Sequence, residues 1–251
     1  MPFIEIKNLS KSFGDLKVLD NITLNIKETE NMVVFGRSGT GKSVLLKCMV
    51  RLLEPDEGEI YIEGENVLKL SLKKLNGVRK QIGFLFQGAA LYDSMSVREN
   101  LEFPLVRNFN FSEKEREKKI KDVLEKVSLQ DSIDKMPSEL SGGMKKRIGL
   151  ARTIITEPKL ILYDEPTTGL DPITSKEISQ LIVELQKDLH TTSVIVTHDL
   201  ICAKLIASYA VVLKDGKIRY EGNINDLTST NDPFLKDFFS SEVIEDNNRR
   251  N

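Results

Sequence analysis

Two glycine-bearing strings in this 251-residue chain carry the residue types that hold phosphate: GRSGTGKS at Gly36–Ser43 and LSGGMKKR at Leu140–Arg147. The first has the P-loop spacing Gly36-x-x-x-x-Gly41-Lys42-Ser43. Glycines let successive backbone N–H groups turn inward on a phosphate, and the helix that follows adds the positive end of its dipole. Gly36, Arg37, Ser38, Gly39, Thr40 and Gly41, with Val44 just beyond, are therefore the candidate wrapping for the phosphates of ATP or GTP. Lys42 would neutralise the β- and γ-phosphates, and the Ser43 hydroxyl would ligate Mg²⁺. Average residue frequencies give such a string by chance in roughly one chain in a hundred of this length. The second string reads as a further phosphate contact on a different, largely helical stretch. Having both suggests a nucleotide site completed by a second copy of the chain.

Leu160-Ile161-Leu162-Tyr163-Asp164-Glu165 is the companion that a P-loop needs. A buried strand ends in Asp164, placed to hold Mg²⁺ through its shell. Glu165 follows, placed to polarise an attacking water. His198 comes after a strand ending at Thr197, where α/β sheets present ligand-binding residues, and a hydrogen bond to the γ-phosphate is its candidate role. His190, at a helix end, reads as structural. Gln87 closes the strand Ile82 to Phe86 and is a candidate to reach the metal or the attacking water.

The elements that must position these groups are legible as periodicities. Residues 1–30 alternate short apolar stretches with turn residues, which predicts a small antiparallel sheet. Met32 to Phe35 is an apolar run ending at Gly36, as a buried strand feeding a loop should be, and Val44 to Leu53 reads as the helix beyond. Ile120, Val123, Leu124 and Val127 fall at i, i+3, i+4 and i+7 within the charged segment Glu113 to Val127, giving an amphipathic helix with one buried stripe. Leu160 to Tyr163 and Val194 to Thr197 are near-continuous apolar runs typical of parallel strands covered on both faces. Between them Ile178, Leu181, Ile182, Leu185 and Leu189 mark a helix, with Thr174-x-x-Glu177 as a candidate capping box. Asp215-Gly216 is a hairpin signal between Ala210–Leu213 and Ile218–Tyr220. Strands alternating with helices give an α/β core with a parallel sheet, and a helical block at 88–155 interrupts it.

Bulk properties exclude several classes. Hydrophobic content of 40% and charged content of 29% are ordinary for a globular protein. A net charge of −2 gives no support to nucleic-acid binding. Two cysteines, Cys48 and Cys202, are too few for a disulfide framework or a zinc site and fit a reducing cytosol. The start, MPFIEIKNLS, lacks the basic end and apolar stretch of a signal peptide. No apolar run approaches the ~18–20 residues of a spanning helix, so any membrane association is expected through partners.

The order GRSGTGKS, Gln87, LSGGMKKR, LILYDEP, Gly169-Leu170-Asp171 and His198 resembles the ATP-binding cassette (ABC) ATPases over residues 3 to about 225. The resemblance implies a P-loop NTPase (RecA-like) core over 1–87 and 156–225, with an N-terminal antiparallel β subdomain and an inserted helical subdomain over 88–155. Together these make one ATPase domain over 1–240, with 226–251 a C-terminal extension whose end is frayed. It implies ATP and Mg²⁺ as cofactors, and Ser43, Gln87 and Asp164 as the Mg²⁺ residues. Glu165, His198, Gln87 and Lys42 become the catalytic set. Phe13 is implied to stack on adenine, against a second reading as a sheet-core aromatic. Leu140, Ser141, Gly142 and Gly143 are implied to contact the γ-phosphate held by the opposite subunit of a homodimer, with Asp171 communicating across that interface. Met144 departs from the Gln common in the family.

As a transporter ATPase the chain would dock on integral-membrane permease subunits at the cytoplasmic face of the inner membrane. Leu91, Tyr92, Met95 and Phe103 are candidates for that contact or, equally, for subdomain core. The stretch Phe84 to Leu105, with Tyr163 to Thr174, is similar to the branch that works with MCE-domain lipid-binding proteins, the phospholipid-moving Mla system among them. Amino-acid importer ATPases share most of these motifs. Soluble ABC proteins of DNA repair or translation typically carry two cassettes, a long coiled coil or zinc-binding insertions. A P-loop kinase or GTPase has no use for LSGGMKKR.

Overall fold

Isoleucines and leucines at alternate positions build the first sheet. The computed structural model describes residues 2–229 and 231–238. In it β1 (Ile4–Phe13) pairs antiparallel with β2 (Leu16–Ile26) in the register Ile4 to Ile26 and Ile6 to Leu24. On its other edge β1 pairs antiparallel with β4 (Glu57–Ile62), which carries the short β5 (Glu65–Asn66). Ile4, Ile6, Leu9, Ile22, Leu24, Ile26 and Ile60 all turn inward and are fully buried. The period-2 pattern of residues 1–30 thus gives one buried face.

The described residues fall into two units, one made from residues up to 70 with those from 194 onward, the other from 71–193. The first unit holds the antiparallel sheet and β3 (Asn31–Phe35), which pairs in parallel with β9 (Tyr209–Lys214) from Met32 opposite Tyr209 to Phe35 opposite Val212. β9 turns into the antiparallel β10 (Lys217–Asn223) at Asp215-Gly216, both at positive φ (50° and 74°), as a tight hairpin requires. Helix α1 (Lys42–Met49) follows β3. It begins two residues before the expected Val44, and it stops at Met49 because Arg51 turns left-handed at φ 52°. α7 (Leu200–Ile206) and α8 (Ile224–Ser229) complete this unit with a short helix over 233–238, where Leu235 and Phe238 are buried. The rest of the expected C-terminal extension, from 239 on, lies outside the described residues.

The second unit places the parallel pair β6 (Ile82–Leu85) and β7 (Leu160–Asp164) among α2 (Leu72–Arg79), α3 (Val97–Asn108), α4 (Glu113–Lys126), α5 (Gly142–Ile154) and α6 (Pro172–Leu189). α3 and α4 each start on a capping box, Ser96 with Glu99 and Ser112 with Glu115. The stripe Ile120, Val123, Leu124 and Val127 is buried, and so are Ile178, Leu181, Ile182 and Leu185 of α6. α6 starts earlier than the Thr174 box predicts. Asp171 is its N-cap, accepting from the amides of Ile173 and Thr174 at 3.0 Å each, and Pro172 fills the first helical position, where its missing N–H costs nothing. Glu177 pairs with Arg147 at 2.9 Å instead of closing a box. His190 ends α6 in the left-handed region at φ 49°, the structural role expected of it. β8 (Thr192–Val196), buried throughout, is where the chain passes from this unit back to the first.

Cys48 and Cys202 are both buried, and burial pushes the Cys48 thiol up to about 11. A thiol reagent is expected to label neither cysteine in the native chain and both after unfolding. Fast native labelling would show that α1 or α7 opens under native conditions.

Candidate functional site

In the first unit the P-loop string turns directly from β3 into α1. An added Cβ at Gly41 would lie 2.8 Å from Val18 Cγ1 and 2.8 Å from Val18 O, and φ there is 94°, so the position is closed to other residues. Thr40 Oγ1 donates to the carbonyl of Arg37 at 2.8 Å, which tightens the loop. Lys42, at the first position of α1, is buried, and its Nζ donates to the carbonyls of Gly36 (2.6 Å) and Arg37 (3.2 Å). Helices α2 to α7 each begin on a Ser or Asp side chain that accepts from a first-turn amide. α1 has no such side-chain cap and no acidic residue in its first turn. That combination suits an anion, because the helix start offers N–H groups and partial positive charge together with one buried ammonium. The residues present therefore fit the phosphates of a nucleotide. His198, at the end of β8, is exposed, and Phe13 is 48% exposed with the Lys11 ammonium 5.6 Å from its ring centroid, which removes the reading of Phe13 as a sheet-core aromatic.

In the second unit β7 is buried over its whole length and delivers Asp164 and Glu165, at 6% and 9% exposure, to its C-terminal end. Glu165 holds φ 52°, left-handed backbone for a non-glycine residue, which costs about 1–3 kcal/mol and persists where surroundings over-determine it. Thr168 Oγ1 donates to its carboxylate at 3.0 Å. Gln87 follows β6 and is exposed; the strand itself stops at Leu85, and Phe86 stacks on Phe84 with centroids 4.2 Å apart. Ala89 and Ala90, beyond Gly88, also sit at positive φ, 60° and 50°.

The LSGG string forms the start of α5. Ser141 caps it, accepting from the Met144 amide at 3.3 Å, and Gly142 and Gly143 are its first helical residues. A Cβ on Gly142 would meet nothing within this unit closer than Leu170 Cδ2 at 3.6 Å, an ordinary contact. Nothing inside the unit thus demands glycine at 142, whereas a Cβ on Gly143 would lie 2.7 Å from Thr174 Cγ2. The Asp171 carboxyl is held below the usual range by the Thr174 hydroxyl and by the amides it caps.

The second unit brings together Gln87, Asp164, Glu165 and the LSGG helix, and the first brings together the P-loop residues. Sequence reasoning missed Lys146 and Arg152 of α5. Lys146 is buried and donates to the carbonyls of Gln87 and Glu165. Arg152 donates to those of Ala89 and Ala90 at 2.9 Å each. The signal was present in the helix spacing. Lys146 lies at i to Gly149, Leu150 and Thr153 at i+3, i+4 and i+7, all buried, so the lysine belongs to an inward face. Of the candidates for an outside contact, Tyr92 and Phe103 are exposed with rings 5.1 Å apart, while Leu91 and Met95 are half-buried. Buried Asn100 fixes their loop, accepting from the Tyr92 amide at 2.8 Å and donating to the carbonyl of Met95 at 2.9 Å.

The ABC transporter family model matches residues 19–168. The intermembrane phospholipid transport system ATP-binding protein MlaF of Haemophilus influenzae is 39% identical over 239 residues, 95% of this chain and 90% of that protein. The methionine import ATP-binding protein MetN of Clostridium tetani is 38% identical over 241 residues, 96% of this chain and 76% of that one. Among solved structures, a dimeric ATP-binding cassette in a post-hydrolysis state, bound to ADP and Pi, superposes with a TM-score of 0.80 at 34% identity, covering 88% of this chain and 98% of the other. This chain belongs to the ABC transporter family and is an ATP-binding, ATP-hydrolysing subunit of it.

Proposed function

We propose that the chain powers phospholipid movement between bacterial envelope membranes, as a homodimer beneath integral-membrane permease subunits and with an MCE-domain lipid-binding partner. The observation that carries this reading is the match to the phospholipid transport ATPase over 95% of this chain and 90% of that protein. The similarity of Phe84 to Leu105 to the MCE-associated branch supports it. So does the exposed pair Tyr92 and Phe103, a surface suited to a permease helix. Among the described residues no helix is long and apolar enough to cross a membrane, in keeping with a peripheral subunit held at the cytoplasmic face by its partners.

Residue by residue, the roles are these. Lys42 exchanges the carbonyls of Gly36 and Arg37 for the β- and γ-phosphate oxygens, while Arg37 to Val44 wrap the phosphates and Phe13 stacks on adenine. Ser43, Gln87 and Asp164 would hold Mg²⁺, whose charge would offset that of the phosphates. Glu165 polarises the attacking water and His198 hydrogen-bonds the γ-phosphate. Ser141, Gly142 and Gly143 contact the γ-phosphate bound by the other copy, and Asp171 sets the start of α6 at that interface. The γ-phosphate then favours the closed dimer, and its loss releases it.

Methionine or another amino acid is the second reading, because the identity to the methionine import ATPase is nearly the same. Purification of the tagged chain from its native membrane in mild detergent, followed by mass spectrometry, separates the two. Recovery of a permease, an MCE-domain protein and phospholipid is expected. Recovery of an amino-acid-binding protein would overturn the phospholipid assignment.

A further inference from the structure

Lys146 is 5% exposed, and its ammonium reaches two backbone carbonyls, those of Gln87 and of Glu165, the latter at 3.2 Å. Packing alone does not ask for a charge here, since methionine fills a similar volume without the cost of desolvation. That cost is visible: burial pulls the pKa of Lys146 down, and the charges of Glu165 and Asp164 act against the fall. The Glu165 carbonyl also accepts from the Thr168 amide at 3.3 Å, and Gln87 lies in a turn closed by the Ala89 amide on the Phe86 carbonyl at 2.9 Å. Each peptide thus has a local hold, and what the ammonium adds is a tie from both of them to one side chain of α5. Glu165 is left-handed at φ 52°, and Gln87 leads into Ala89 and Ala90, left-handed as well. Non-glycine residues stay in that region only where neighbours fix them. Arg152 continues the arrangement two turns along, with its guanidinium on the carbonyls of Ala89 and Ala90. α5 can come this close because Gly149 faces the same turn, where a Cβ would lie 2.9 Å from Leu85 Cδ1 and 3.0 Å from the Ala89 Cβ.

We propose that Lys146 is a positioning residue for ATP hydrolysis, one ammonium that fixes the peptides of Gln87 and Glu165 to each other and to the helix that Ser141 caps. The proposal rests on the roles given above to Gln87 and Glu165. Its consequence is a mechanical link: displacement of α5 at its Ser141 end moves the backbone of the same subunit's Glu165.

The test compares Lys146→Met and Lys146→Arg with the unaltered full-length chain and with Glu165→Gln. Steady-state ATPase rates, affinity for a fluorescent ATP analogue and thermal midpoints are measured for each. Lys146→Met is expected to lower kcat about tenfold, as loss of a partner behind the reacting groups does, with KM and nucleotide affinity within about twofold. Its thermal midpoint should hold, and Lys146→Arg should recover most of the rate. Full activity in Lys146→Met overturns the proposal. A joint fall of kcat, affinity and midpoint, with no rescue by arginine, also overturns it, because that is the signature of a merely structural lysine. If Glu165→Gln hydrolyses ATP as fast as the unaltered chain, the assignment of Glu165 fails and the proposal falls with it. An inactive Glu165→Gln beside a fully active Lys146→Met sinks the proposal alone.

Discussion

Glu165→Gln is expected to bind ATP with near-normal affinity, to hydrolyse it roughly a thousandfold more slowly, and to run as a dimer on gel filtration with MgATP. The glutamine keeps the size and one oxygen of the side chain, so the Thr168 hydroxyl, 3.0 Å from the native carboxylate, still has an acceptor. The left-handed backbone at φ 52° is set by the surrounding peptides and not by the charge, so the fold is expected to survive. What goes is the carboxylate that would take a proton from water, since an amide has no comparable basicity. With hydrolysis blocked, the γ-phosphate stays in place and continues to favour the closed state over the open one. A species that stays monomeric at every MgATP concentration would refute the shared-site mechanism. A variant with full activity would refute the role of Glu165.

Lys42→Met should act one step earlier, on binding. The Lys42 ammonium is buried and held by the carbonyls of Gly36 and Arg37, so it is preset at the loop before any phosphate arrives. Hydrogen bonds to charged groups contribute about 1.5–3 kcal/mol, and the phosphates would lose this donor altogether. ATP affinity is therefore expected to fall about a hundredfold, measured by titration of a fluorescent analogue. The ATPase rate at saturating nucleotide should drop as well, because the charge that develops on the transferred group loses its counterion. Retention of affinity within a few-fold would mean that the N-terminus of α1 alone supplies the binding energy.

The sequence by itself determined the parts whose cause is local. A Gly-x-x-x-x-Gly-Lys-Ser string allows few backbone paths, and the structure has that turn with Gly41 at φ 94° and Lys42 opening α1. The apolar run at Met32 to Phe35 reads as a buried strand feeding a loop and that at Leu160 to Tyr163 as a strand covered on both faces, and all eight residues are buried. The stripe of α4 and the hairpin at Asp215-Gly216 were legible for the same reason, since period and turn chemistry act over a few residues. Element ends were less legible. Asp171 takes the cap of α6 that Thr174 seemed to offer, because Pro172 fixes the chain as helical one residue after it. Only the tertiary structure decided which carbonyls Lys146 would meet, since the peptides of Gln87 and Glu165 lie far from it in the chain and come to α5 through the packing of β6 and β7. The helix spacing puts this lysine on an inward face, but it does not say what that face meets. The left-handed φ of Glu165 was invisible for a similar reason: no local propensity favours it, so it exists only where packing and hydrogen bonds from elsewhere in the unit hold it.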